Sequence, residues 1–433
     1  MSKKITRRSF AKATAAAAVA LTAAERSRAQ GANERVRLGF IGVANRGGQL
    51  LTAFGKHADC EVVALCDVQK STLAAAAARL DGKPDTYGDF RKVIERQDVD
   101  AVVVATPDHW HAIQTIDACN AGKDVYVEKP LSITVFEGRK MVEAARRNSR
   151  IVQVGTHRRS GKIYARAHEL VASGAIGKAT VCRAYHRSNM TPGGIGKAPP
   201  TDPPEDLDWD MWLGPRPMRF YQATIAPYKF RWWHLYSSQT ANNGVHYLDT
   251  IRWLTDDLAP ASICAMGGCY AVDDDRTIPD TLESNFEFPA GRLVVFGMYE
   301  TCGNQTMARG GFIELRGTKG TLFATDNGLE IVPELGGQFQ EKTPRTEPLT
   351  EQADEGNLTE QHARNFLDCI KSRETPSADV EEGHRSTTMS LLAKISWLTR
   401  LRLEWDSEKE QITNSAEANA MLHYEYREPW KLG

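Results

Sequence analysis

Val36-Arg37-Leu38-Gly39-Phe40-Ile41-Gly42-Val43-Ala44-Asn45-Arg46-Gly47-Gly48, followed by Glu61-Val62-Val63-Ala64-Leu65-Cys66-Asp67, is the stretch that decides the fold. Val36 to Val43 is a short apolar run of the kind found in strands buried on both faces. It breaks into a glycine turn, after which Leu50, Leu51 and Phe54 fall at helical spacing. The second apolar run ends on Asp67, close to the roughly 20-residue spacing at which a ribose-binding acid follows the glycines. Strand, glycine turn, helix, strand and terminal acid are the parts of a dinucleotide-binding βαβ unit. Gly42 and Gly47 permit the tight turn, and Ala44 stands at the middle position, where the backbone comes nearest a pyrophosphate. Asn45 and Arg46 open the helix, whose N-terminal N–H groups face the phosphates. A carboxylate at Asp67 accepts hydrogen bonds from a ribose 2′-hydroxyl and repels a 2′-phosphate, so the expected cofactor is NAD rather than NADP.

The same alternation continues downstream. Val99 to Ala105 reads as a buried parallel strand ending at Thr106-Pro107, and Ile113, Ile116 and Ala118 mark the helix after it. Asp124-Val125-Tyr126-Val127 then runs into Glu128-Lys129-Pro130. Ligands of such sheets sit beyond the carboxyl ends of the strands, where Thr106, Pro107, His109, His111, Glu128 and Lys129 all fall. Thr106, Pro107, His111 and Glu128 are therefore expected at the cofactor.

The glycine turn, Thr106-Pro107-Asp108-His109-Trp110-His111 and Glu128-Lys129-Pro130-Leu131-Ser132 together resemble the glucose-fructose oxidoreductase / inositol dehydrogenase / rhizopine catabolism (Gfo/Idh/MocA) family. The resemblance implies that Lys129 lies beside the nicotinamide and the reacting carbinol. It also implies two domains of α/β plus α+β class: a Rossmann domain over residues 35–155, and a substrate domain over 156–433 with an open, mostly antiparallel sheet. Strand-like runs at 179–186, 262–271, 281–288, 291–299 and 312–317 suit that sheet. Helical patterns at 359–372 and 384–401 are expected to pack back against the body. Family members carry an aspartate four residues before a histidine on a helix facing the nicotinamide. Here the histidine matches His246, and Asn242 stands in place of the acid. Positions i and i+4 share a helical face, so Asn242 is expected at a substrate hydroxyl or the nicotinamide ribose, with proton transfer falling to Lys129 and His246. Oxidising a secondary alcohol needs such a base, titrating near neutral pH, at the hydroxyl. Trp233 and His234, in an aromatic-rich segment, are expected to face sugar, since aromatic rings stack on its C–H faces.

Composition bounds the partners. The 433 residues carry a formal net charge of −1 and are 41% hydrophobic, with a mean hydropathy of −0.43. That balance argues against a nucleic-acid footprint, and no apolar run is long enough to span a bilayer. Eight scattered cysteines include no C-x-x-C pair, so neither a metal site nor a cysteine role is assigned. Thr6-Arg7-Arg8-Ser9-Phe10-Ala11-Lys12, an alanine-rich stretch and Ser27-Arg28-Ala29 read as a twin-arginine signal peptide over 1–29. That route carries folded proteins, which suits a cofactor inserted before export to the periplasm. The expected protein is an exported oxidoreductase acting on a sugar, glycoside or cyclitol, with tightly held NAD and a homo-oligomeric state. Two alternatives stand beside it: a redox-neutral NAD-dependent glycosidase, and a non-catalytic exported carbohydrate-binding protein.

Overall fold

The computed structural model describes residues 35–304 and 313–433. The twin-arginine segment lies outside the described residues.

The first region alternates strand and helix: β1 (Val36–Ile41), α1 (Asn45–Phe54), β2 (Cys60–Cys66), α2 (Lys70–Ala78), β3 (Asp85–Tyr87), α3 (Phe90–Ile94), β4 (Ala101–Val104), α4 (His111–Asn120), β5 (Asp124–Val127), α5 (Val135–Arg147) and β6 (Val152–Val154). The strands form one parallel sheet in the order β3-β2-β1-β4-β5-β6, the arrangement of a Rossmann fold. β4 and β5 are buried along their whole length, which is why they read as continuous apolar runs. The register aligns the strand ends in a row. Cys66 pairs with Ile41, Ile41 with Val104, Val104 with Val127, and Val127 with Val154. Whatever follows these residues therefore emerges along one edge of the sheet.

The second region contains α6 (Lys162–Ala172), β7 (Ala179–Arg187), α7 (Trp209–Leu213), α8 (Val245–Leu254), β8 (Ser262–Gly268), β9 (Thr281–Phe288), β10 (Arg292–Tyr299), β11 (Ile313–Gly317), β12 (Gly320–Thr325), β13 (Gly328–Pro333), β14 (Leu349–Gln352), α9 (Leu358–Ser372), α10 (Val380–Thr399), β15 (Leu403–Asp406), β16 (Gln411–Ile412) and α11 (Ala416–Ala420). Its ten strands form an open sheet in the order β14-β13-β12-β11-β7-β10-β9-β8-β15-β16. All pairs are antiparallel except β7 and β10, which run parallel. α6, α8 and α10 cover one face, burying Tyr164, Leu248, Ile251, Leu392 and Ile395 against Phe286, Phe296 and Leu315. α10 begins at Val380, earlier than its apolar spacing suggests, because the Asp379 side chain accepts from the Glu381 N–H and caps it.

α9 crosses back to the first sheet. Its Ala363, Phe366 and Leu367 join the core formed by Leu38, Phe40, Phe54 and Tyr126. The Phe366 ring stands edge-on to Phe54 and Tyr126 at 6.2 and 5.8 Å. One face of the Rossmann sheet is thus completed by a helix more than 200 residues downstream. Truncating the buried Phe366 in a Phe366→Ala variant is expected to cost about 3–5 kcal/mol, measured by denaturant unfolding. Residues 35–155 expressed alone should expose this face and bind a hydrophobic dye that the full chain does not.

Candidate active site

The glycine turn is fixed by contact. Gly42 has φ +83°, and a Cβ there would lie 2.7 Å from the Ala105 carbonyl oxygen. A Cβ at Gly47 would meet the Gly42 carbonyl oxygen at 2.1 Å. Ala44, by contrast, has φ −69° and ψ −172°, an extended conformation that any residue adopts, so its methyl adds no backbone strain. It precedes α1 without capping it by a side chain, and no acid occupies the first turn. The N–H groups there are left for an anion. At the end of β2, Asp67 accepts from the Val43 and Gln69 N–H groups, each at 3.0 Å. Burial holds its carboxyl above the ordinary value despite those bonds.

From this turn a cavity of about 550 Å³ runs along the sheet edge to Lys129. Gly42, Ala44, Asn45, Arg46 and Asp67 line one end, and Thr106, Pro107, Glu128, Lys129 and Asn242 lie further in. A glycine cradle, uncapped helix N–H groups, and an acid at the next strand end, all opening on one cavity, fit a dinucleotide. Among the described residues, no three His, Cys, Asp or Glu side chains are grouped to hold a metal ion.

Glu128, Lys129 and Asp108, at the inner end, are each hydrogen-bonded. Arg46 Nε donates to Glu128 Oε1 at 2.8 Å. Burial alone would raise the Glu128 carboxyl, but Arg46 and Lys129 outweigh it and hold it below the ordinary value. Lys129 Nζ donates to the main-chain carbonyl of Asn242 at 2.8 Å, across the boundary between the two regions. Burial pushes the ammonium down to about 8, against the opposing pull of Glu128 and Asp108. Asp108, itself buried, accepts from the Ser237 hydroxyl, and burial raises its carboxyl. Thr106 Oγ1 donates to Gln114 Oε1 at 2.8 Å.

The Asn242–His246 pair departs from simple helical spacing. Residues 240–244 form a π-helical turn before α8 begins, which changes the phase between the two positions. Asn242 lines the cavity, while His246 packs its ring 5.1 Å from that of His157. Both Nδ1 atoms are buried without a partner. Burial first, and then the charges of Lys129 and His157, keep His246 well below 6.5. His157 falls to about 3 through burial and the nearby Arg46. Both rings are therefore neutral near pH 7, one layer from Lys129.

Three further residues lie away from the cavity wall. His111 bridges the Pro130 and Thr106 carbonyls, at 2.8 and 3.0 Å, and so joins the ends of β4 and β5 as a positioning residue. Trp233 and His234, expected at the sugar, are placed elsewhere. The Trp233 indole N–H donates to the Thr224 carbonyl at 2.6 Å, and its ring is buried in an aromatic cluster with Trp212 and Tyr236. The His234 N–H donates to Thr277 Oγ1, and its carbonyl accepts from Lys394. A run of adjacent aromatic residues in a loop cannot all face one cleft, and here the neighbours Tyr228, Phe230 and Arg231 do.

Residues 36–156 match the family described as an oxidoreductase family with an NAD-binding Rossmann fold. Residues 168–281 and 331–432 match the C-terminal α/β domain of the same oxidoreductase family. The chain belongs to the Gfo/Idh/MocA family. It is 30% identical over 158 residues to inositol 2-dehydrogenase of Salmonella typhimurium, covering 36% of this chain and 47% of that protein. It is 34% identical over 125 residues to α-N-acetylgalactosaminidase of Shewanella oneidensis, covering 27% of each. The match thus spans about half the length, or less, of these curated relatives. A solved levoglucosan dehydrogenase, in complex with NADH and levoglucosan, superposes with a TM-score of 0.65 at 17% identity, covering 86% of this chain and 99% of the other. That likeness is one of fold.

In this family setting Asp108, Arg231 and His157 are the residues of the site that sequence reasoning left unassigned. Asp108 sits inside the Thr106–His111 motif, and His157 follows the end of β6, so the strand-end rule reaches both. Arg231 sits in a single 3-10 turn, Lys229–Trp232, away from any strand end, and gives no such signal. Two outcomes follow from Lys129. Its folded pKa of about 8 lies below the ordinary 10.5, so between those values the unfolded chain binds more protons and stability rises with pH. Lys129→Met is therefore expected to raise the thermal midpoint at pH 7, with the advantage shrinking from pH 8 to 10.5. In Asn242→Asp, a new carboxylate should raise the Lys129 pKa, followed by NMR of the dimethylated lysine across pH 7–11.

Proposed function

We propose that this protein is an exported NAD-dependent oxidoreductase that acts on a secondary alcohol of a sugar, glycoside or cyclitol and holds its cofactor tightly. The observation that carries the reading is Lys129, an amine brought to about 8 by burial at the inner end of a cavity that begins at the glycine turn. Gly42, Ala44, the α1 N-terminus and Asp67 would hold the cofactor, which when bound supplies the hydride acceptor. Asp67 favours a free ribose 2′-hydroxyl, hence NAD over NADP. Lys129, unprotonated, takes the hydroxyl proton. Its bond to the Asn242 carbonyl orients the amine without neutralising it, and the Asn242 amide is left to hold a second hydroxyl. Glu128, tied to Arg46, and Asp108, tied to Ser237, favour the ammonium that forms when the proton is taken. His246 and His157, both held neutral by burial, stand behind it and add no competing charge.

Export explains the tight cofactor, since free NAD is scarce outside the cytoplasm and must be regenerated where it is bound. The twin-arginine pattern at Arg7-Arg8 supports that location, and its replacement by lysines should trap the protein inside the cell.

A second reading keeps the same site but closes the redox cycle on one substrate: oxidation, elimination of a glycosidic group, then reduction. The partial match to an α-N-acetylgalactosaminidase favours it. Cleavage of a glycoside without net NADH would select it over simple dehydrogenation.

Protein purified without added nucleotide, denatured and analysed by mass spectrometry should release near-stoichiometric NAD or NADH. An empty protein that also takes up no NAD would end both readings in favour of a binding protein. For alcohol oxidation, kcat/KM should rise with pH to a plateau above about 8. Lys129→Met should lose at least 100-fold in kcat with cofactor still bound.

A further inference from the structure

The inner end of the cavity carries more positive charge than its own carboxylates engage. Arg231 lines it together with Lys129, Asn242 and Tyr228. Its guanidinium sits 4.0 Å from the centre of the Tyr228 ring, and Nη1 donates to the Tyr228 hydroxyl at 2.9 Å. That occupies one of five N–H donors. Nε is buried without a partner, and among the described residues no carboxylate lies within ion-pairing distance of this side chain. The neighbouring acids are already engaged, Asp108 by Ser237 and Glu128 by Arg46. Behind them Lys394 and Arg216 also lack a bonded carboxylate among the described residues. Lys394 donates to the His234 carbonyl, and Arg216 lies over the Tyr424 ring at 3.9 Å.

Removing a proton and a hydride from a neutral alcohol uses Lys129 and needs no second cation beside it. A guanidinium held flat against an aromatic ring, with most of its fork unclaimed, is built to take a carboxylate or phosphate through paired charge-assisted hydrogen bonds. We propose that the substrate carries an anionic group, as a sugar acid or a sugar phosphate ester, and that Arg231 selects it. This rests on the reading of the cleft as a carbohydrate dehydrogenase site and narrows its substrate class. Binding of the acid at Arg231 also decides which carbinol is presented to Lys129, because the two side chains share one end of the cavity.

The test is calorimetric binding to the full chain with NAD present, using D-glucuronate, D-galacturonate and glucose 6-phosphate against D-glucose and D-galactose. At least one acid should bind about 10- to 100-fold more tightly than its neutral counterpart. Arg231→Gln should erase that gap with NAD affinity unchanged, while Arg231→Lys, which keeps the charge but not the planar fork, retains part of it. Preference for the uronates or for the phosphate ester identifies the source of the anion. Equal binding of acids and neutral sugars, a gap that survives in both variants, or no binding by any acid overturns the proposal. Acids that bind through Arg231 and yield no NADH would instead count against the dehydrogenase reading and leave the anion site standing.

Discussion

The parallel ladder of the first sheet is the constraint on which the site depends. Because Cys66, Ile41, Val104, Val127 and Val154 share one row, the residues after them must share one edge. Gly42, Asp67, Thr106 and Lys129 thereby meet around one cavity, although 87 residues of chain separate Gly42 from Lys129. A slip of one residue in any strand would turn its side chains to the opposite face and move the site residue it carries. The strand pairing itself aligns the ends of β1, β4 and β5, and so a property of the core sheet sets the geometry of the chemistry.

The second region supplies what the ladder cannot. Lys129 would be an unbonded ammonium if the Asn242 carbonyl did not face it, and an unbonded buried charge is costly. The turn presenting that carbonyl is held by a buried carboxylate. Glu300 accepts from Trp232 at 2.9 Å, Gln239 at 2.8 Å and Arg276 at 2.7 Å. Gln239 in turn accepts from the Asn243 amide at 2.8 Å. The π-helical turn therefore hangs from the β10 end of the large sheet, and the alignment of Lys129 depends on two sheets at once.

Legibility in the sequence follows the range of the forces involved. β1, β4 and β5 are readable because a strand buried on both faces leaves a local signature, and the glycines with Asp67 are readable because the turn needs them at fixed spacing. The half-buried strands β12 to β14 carry a weaker alternation, and the parallel pairing of β7 with β10 joins segments more than 100 residues apart, so neither is legible from neighbouring residues. Lys129 could be found at its strand end. Arg231 could not, since a 3-10 turn of four residues is too short for periodicity to betray its direction. Trp233 illustrates the opposite error: an aromatic residue looks equally suited to sugar or to core, and its hydrogen bond to Thr224 decides for the core.

Two departures from the family pattern are physically coherent in this chain. Ala44 replaces a glycine at a position whose backbone is extended, so nothing in the turn requires the missing Cβ. Asn242 replaces a carboxylate at a position whose main chain, not its side chain, bonds Lys129. A carboxylate so close would stabilise the ammonium and move its pKa upward, away from the pH at which an amine can act as a base. The neutral amide leaves burial in control, and burial is what brings the lysine to about 8. The loss of the acid is therefore compatible with a lysine base.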